Sequence, residues 1–179
     1  MSRRTAVAPV VIVAGLVVSG AAAAQDTASA DPWMAIPEPV MIEHLTVSRC
    51  EEPLSGPLSH VDPVRGVLSP AATLYAIPCT AGASRPTYRL YVHEIGEIEG
   101  VHPIPLAVYT EAYGWQGTAL LRGVEWDAEA ERLVAEGPRG TDGRIGVGIW
   151  SWGDFRLKME RFSLVDDAGT AERIYPPAE

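Results

Sequence analysis

Positive charge is scarce in this chain: 14 Lys and Arg residues face 23 Asp and Glu, a formal net charge of −9. Nucleic acid and anionic lipid are gripped by basic surface, so the balance argues against both as partners. A basic partner is compatible with it, although acidity also serves simply to keep a protein in solution. Cysteine is scarcer still, with Cys50 and Cys79 alone. No Cys-x-x-Cys spacing occurs, and two cysteines do not make a structural zinc site without neighbouring ligands. Absent as well are the Gly-x-Ser-x-Gly, His-Glu-x-x-His and phosphate-loop patterns. The sequence asks for no cofactor.

Charge is missing altogether from Ala6 to Ala24, a stretch whose apolar heart is Val10–Val18. Arg3 and Arg4 precede it, and Ala22-Ala23-Ala24 offers a small-residue boundary before Gln25. A basic start, a short apolar run and an Ala-x-Ala end form the pattern of a cleavable secretory signal peptide over residues 1–24. Retention as a membrane anchor is the competing account, since about 18 uncharged residues just span a bilayer. Pro9, Gly15 and the alanine-rich end weigh against it. No cysteine sits at the boundary, so no lipid anchor is indicated. The expectation is a periplasmic or secreted protein, soluble after cleavage, that meets the membrane only through its transient signal. The leader holds two basic residues and no acid, which leaves 12 basic against 23 acidic residues and a charge of −11. In an oxidising compartment, the isolated pair Cys50 and Cys79 is most simply a disulfide.

The remaining 155 residues are the size of one domain. Residues 25–39 (QDTASADPWMAIPEP) hold no sustained period and read as an extended or disordered arm, which Trp33 and Met34 could dock. Residues 40–177 read as a single β-rich domain. Val40–Cys50 fits a strand or one to two turns of helix equally well. Glu51–Pro70, with four prolines and two glycines, reads as loop. Thr73–Pro78 is a short β-prone run closing at Cys79, and Thr80–Pro86 is turn chemistry. Thr87–Glu94 then alternates, with Tyr88, Leu90 and Val92 on one face and Arg89, Tyr91 and His93 on the other. Period two is the mark of a half-buried strand. Leu106–Tyr109 and Thr118–Trp126 read as further strands, the latter with Leu120, Val124 and Trp126 sharing a face with Arg122. Asp127–Arg132 reads as the turn of a hairpin into Leu133–Ala135, because a helix there would be short and uncapped. Gly137–Gly148 makes no Gly-x-Gly-x-x-Gly and reads as a flexible turn feeding a strand. Asp166–Gly169 is a turn without the alternating oxygen ligands of a calcium loop.

A hairpin is expected over Gly148–Arg161, with Gly153-Asp154 as its two-residue turn. That register sets Trp152 opposite Phe155, Trp150 opposite Leu157 and Gly148 opposite Met159, with Ser151 facing Arg156 and Ile149 facing Lys158. Trp150, Trp152, Phe155 and Leu157 then read as core. The functional alternative is that Trp150 and Trp152 form a stacking platform for a ligand.

Cys50, then Leu68–Cys79 (LSPAATLYAIPC), Gly82-Ala83, and Trp150-Ser151-Trp152-Gly153-Asp154-Phe155 together resemble an exported bacterial family, domain-of-unknown-function family 1176. The resemblance covers about residues 40–165, with Gly137–Gly143 standing where that family has a glycine stretch. Ser84-Arg85 replace the family's Tyr-Asn pair, the aromatic after the tryptophans comes one position early, and the glycine stretch has no cysteine. The resemblance implies export and a small β-rich domain. It supplies no catalytic residues.

The histidines His44, His60, His93 and His102 are scattered without ligand spacing, and adjacency of Ser59 and His60 is not a catalytic geometry. His93, Glu94, Glu97, Glu99 and His102 carry the oxygen and imidazole donors that a divalent cation takes. A solvated acidic connection between two strands, pinned by Ile95 and Ile98, is preferred to a metal site there. The fold expected is therefore mainly β, or α+β with little helix: an antiparallel sheet or sandwich of short strands with one disulfide. The function expected is a non-enzymatic binding module of the cell envelope, its partner a basic envelope or extracellular protein. The alternative is a small envelope hydrolase pairing Glu97 or Glu99 with Asp142 or Asp154.

Overall fold

The computed structural model describes residues 31–47, 49–82, 85–96 and 99–177. The expected signal peptide, the first part of the arm, Ala83, Ser84 and Glu97 lie outside the described residues. The protein is mainly β, as alternation and turn chemistry predict. Its strands are β1 (Val64–Ser69), β2 (Ala72–Thr80), β3 (Thr87–Glu94), β4 (Gly100–Pro103), β5 (Leu106–Thr110), β6 (Gly114–Thr118), β7 (Leu121–Asp127), β8 (Arg132–Arg139), β9 (Ile145–Gly153), β10 (Arg156–Val165) and β11 (Ala171–Tyr175). One antiparallel sheet runs β1-β2-β3-β7-β8-β9-β10-β11, with β4 also on β3, and β5–β6 form a separate hairpin. Strand β3 changes partners along its length: Thr87 and Tyr88 pair with β7, whereas Tyr91–Glu94 pair with β4.

The two halves of the sheet share one core. Leu74, Ala76, Leu90 and Val92 of β2 and β3 meet Leu121, Leu133, Trp150 and Phe162 of the second half, joined by Leu106 and Val108 of β5. Each leucine, valine or phenylalanine side chain among them, fully buried, contributes about 1.5–3 kcal/mol. Room for the two largest comes from β9 itself. A Cβ on Gly148 would lie 2.0 Å from Cη2 of Trp150, and one on Gly146 would lie 2.4 Å from Cζ of Phe162. The Gly-x-Gly-x-Trp spacing of β9 is thus a packing device.

The outer face of β2 and β3 carries a second cluster, Tyr75, Ile77 and Tyr91, covered by Val40 of a helix, α1 (Glu38–Val47). Val40 and His44 lie one turn apart and are both fully buried. The ambiguity over Val40–Cys50 resolves to helix over Glu38–Val47, where the i, i+4 spacing turns both Val40 and His44 toward the face of β2 and β3. A short 3₁₀ turn, Pro32–Ala35, is capped by Asp31, whose Oδ1 accepts from the Trp33 N–H at 3.0 Å. The end of the segment read as an arm is therefore ordered: Trp33 docks on the second cluster, while Met34 is exposed. The Cys50–Cys79 disulfide ties the stretch after α1 to the end of β2, across a sequence separation of 29 residues. A closed loop of that length stabilises by about 3–4 kcal/mol in the chain-entropy model. Among the described residues no helix is long and apolar enough to cross a membrane.

Several expectations need correction. The loop read over Glu51–Pro70 contains a 3₁₀ helix, Gly56–His60, and strand β1. Pro63 and Pro70 bracket β1 without entering it, so they end the strand and do not forbid it. The strand read as Thr118–Trp126 is two pieces: Thr118 closes β6, and β7 begins at Leu121. Leu121 is buried and Leu120 exposed, because a bulge at Gly123, with φ +50°, puts Leu121 and Val124 on one face. The β9–β10 turn is Asp154-Phe155, both at positive φ, and not Gly153-Asp154. Trp152 therefore pairs with Leu157 and Trp150 with Met159, a shift of two that keeps the predicted faces. A further irregularity before Arg161 brings Gly148 opposite Phe162. Phe155 loses its place in the core and stands 85 % exposed at the turn.

Candidate functional site

Four of the residues singled out above meet at one end of the sheet. Glu94 and His102 come from the paired ends of β3 and β4, and Trp152 and Phe155 from the end of β9 and its turn. With Val92 and Ile104 as floor they line a pocket of about 270 Å³. Parity explains the grouping. Val92 stands opposite His102, and Glu94 opposite Gly100, so these side chains share the inner face of the β3–β4 ribbon. Gly100 leaves the space in which the imidazole lies, a Cβ there falling 3.4 Å from His102 Nε2. Glu94 Oε2 lies 3.7 Å from that nitrogen, an ion pair when His102 is protonated.

The aromatic wall has two parts with different support. Trp152 is partly buried and packs against the main core, so its indole is held in place. Phe155 is the opposite case, a large apolar ring in solvent on a left-handed backbone, φ +58°. A bulky residue in that region costs of order 1–3 kcal/mol and persists where the surroundings impose it. The preceding Asp154, at φ +50°, is held by the ammonium of Lys158 on β10. That contact pins the turn that presents Phe155.

The other candidates separate. Trp150, 2 % exposed, is core, and cannot stack on a ligand alongside Trp152. His93 pairs with Val101 on the outer face, away from Glu94 and His102. Glu99 is exposed, and Glu97 lies outside the described residues. Among the described residues no three His, Cys, Asp or Glu groups converge as metal ligands. Asp142 and Asp154 lie in the turns at opposite ends of β9. The Arg144 guanidinium holds the Asp142 carboxyl below its ordinary range, and the Lys158 ammonium does the same for Asp154. A general acid needs the reverse shift. Phe155 stands outside the core because the turn falls at Asp154-Phe155, and Ile104 reaches the pocket from the β4–β5 connection; no local pattern marks either.

Comparison with protein-family models gives no match for this chain, and searches of curated proteins and of solved structures return no significant match.

Proposed function

We propose that this is an exported, non-enzymatic binding module that takes a cationic side chain of a basic envelope or extracellular protein into the Trp152–Phe155–Glu94–His102 pocket. The observation that carries the reading is Phe155, a strained and solvent-exposed ring set beside a fixed indole and a carboxylate. Aromatic faces and a carboxylate are the two features that attract ammonium and guanidinium groups, and a cation over such a ring gains about 0.5–2 kcal/mol. The surplus of acidic residues adds long-range attraction for the same class of partner. The disulfide fits an oxidising compartment, and the resemblance to the exported family 1176 points the same way. Against the hydrolase alternative, both aspartates it names are salt-bridged with lowered pKa, the opposite of the shift a general acid needs.

The test is titration of the protein with a hexa-arginine peptide, read by tryptophan fluorescence, against a hexa-glutamate control. Saturable binding that moderate salt releases, and that Phe155→Ala and Glu94→Gln each weaken about fivefold or more, is expected. Binding that neither substitution alters would place the cation elsewhere and sink the assignment.

A further inference from the structure

At the other end of the same sheet the chemistry reverses. Arg85, Arg122, Glu136 and Arg139 surround a pocket of about 210 Å³, with Gly137 and Ile145 completing its lining. Three guanidiniums line it against one lining carboxylate, and with Asp167 on Arg139 counted as well the spot still keeps a surplus of positive charge in a chain whose net charge is −9. The sheet register assembles it. Thr87 at the start of β3 pairs with Arg122 of β7, and Arg122 pairs with Glu136 of β8. Arg85, just ahead of β3, reaches across that row and donates to Glu136 Oε1 at 2.6 Å. Irregularities flank the row on both sides, between Arg122 and Glu125 and between Glu136 and Arg139. Bulges of this kind re-aim side chains and gather next to sites.

The three arginines are not engaged alike. Arg85 is committed to Glu136, and Arg139 donates to the Gly143 carbonyl and to Asp167. The Arg122 guanidinium makes no hydrogen bond or ion pair among the described residues, although Glu136 is its direct cross-strand neighbour. Arg144 shows what a purely structural arginine looks like here: its fork is taken up by Asp142, Glu111 and Glu172. Arg122 has no such set of acids, and its uncommitted guanidinium lines a cavity that two more guanidiniums border.

We infer that this pocket is an oxyanion site for a small phosphate or phosphomonoester, held by the fork of Arg122 with Arg85 and Arg139 beside it. Forked, charge-assisted hydrogen bonds suit a tetrahedral dianion. At about 210 Å³ the pocket lies below the roughly 300 Å³ at which drug-sized sites begin, a size that suits a phosphoryl group with a small ester. Glu136 holds Arg85 in reserve and lowers the affinity of the empty pocket. The site is separate from the aromatic pocket, and neither reading depends on the other.

Calorimetric titration of the full chain with inorganic phosphate, against sodium chloride at matched ionic strength, tests it. Saturable phosphate binding is expected, weakened roughly tenfold or more by Arg122→Gln and unchanged by Arg156→Gln at the far hairpin. Glu136→Gln, which removes the competing carboxylate, is expected to tighten binding several-fold, and this gain distinguishes a site from mere loss of folding. Glycerol phosphate and succinate separate the sources of the oxyanion: the phosphomonoester is expected to match phosphate and the dicarboxylate to bind more weakly. Phosphate no better than chloride, an Arg122→Gln protein with wild-type affinity, or succinate equal to phosphate would each overturn the assignment.

Discussion

The two ends of this molecule are built from the same strands and differ in almost every chemical respect. Strand β3 enters beside Arg85 and leaves at Glu94; β9 begins at Ile145 of the arginine pocket and reaches Trp152 of the aromatic one. Seven residues of strand separate the ends of each, about 23 Å. At one end an indole is braced by the core and a phenyl ring is strained into solvent. At the other, guanidiniums meet across a regular ladder broken by bulges. The lesson is that a rigid shared middle allows divergent ends. Neither pocket contains its own core, so each depends on the packing around β9.

That dependence can be broken. Gly148→Ala places a methyl group where the Trp150 ring already lies, 2.0 Å from Cη2, and Trp150, 2 % exposed, has nowhere to go. A loss of about 3 kcal/mol in urea unfolding is expected, with binding at both ends weakened together. If one end kept its affinity at full strength, the shared-spine picture would be wrong.

Acid acts on the brace beneath both ends. His44 of α1 is buried, with Nδ1 3.0 Å from the Tyr91 hydroxyl of β3. Burial above all, and then the charge of Arg89, lowers its pKa from 6.5 to about 4, against a hydrogen bond that the Pro78 carbonyl accepts from the imidazole, which pulls upward. Between those values the unfolded chain takes up a proton that the folded one refuses, so stability declines as pH falls from about 6.5 toward 4. The decline attributable to this group reaches up to about 3 kcal/mol at the acid end and vanishes above neutrality. Urea midpoints at pH 7, 5.5 and 4.5 measure it, and a His44→Gln protein with the same slope would assign the effect elsewhere.

The smallest expected change sharpens the contrast most. Phe155→Gly relieves a left-handed backbone at an exposed position, so stability should rise by about 0.5–1 kcal/mol. Hexa-arginine binding should weaken while phosphate binding at the arginine end stays as it was. A stability loss on that substitution would mean that the ring packs on something and is not held out for a ligand.

Much of the scaffold was legible. Period two over Thr87–Glu94 gives β3 with its bounds, but the strand is not half-buried as alternation implies: Tyr91, on the face read as the outer one, is covered by α1. The Asp127–Arg132 turn was readable from composition, and Asp127 Oδ1 accepts there from the N–H groups of Glu129 and Ala130. Of the aromatic pocket, Glu94, His102 and Trp152 stood out as residues worth asking about, though nothing in the spacing said that they meet. The arginine pocket was invisible: Arg85, Arg122 and Arg139 are dispersed over 55 positions and adjoin only through strand pairing. Bulges defeated the rest. Counting by twos carries Leu120 inward until Gly123 resets the register, and a turn displaced by one residue moves Phe155 from core to solvent.

By itself, then, the sequence determined what is local: alternation made strands, an isolated cysteine pair made the Cys50–Cys79 bridge, and Gly148 in β9 made room for Trp150 two residues on. Tertiary structure decided what is shared between distant segments. Which side chains face one another depends on register, and register is set by turns and bulges whose cost is weighed against burial of the whole core. That is why two cavities of opposite character could be written into one acidic chain and be seen only once its strands were paired.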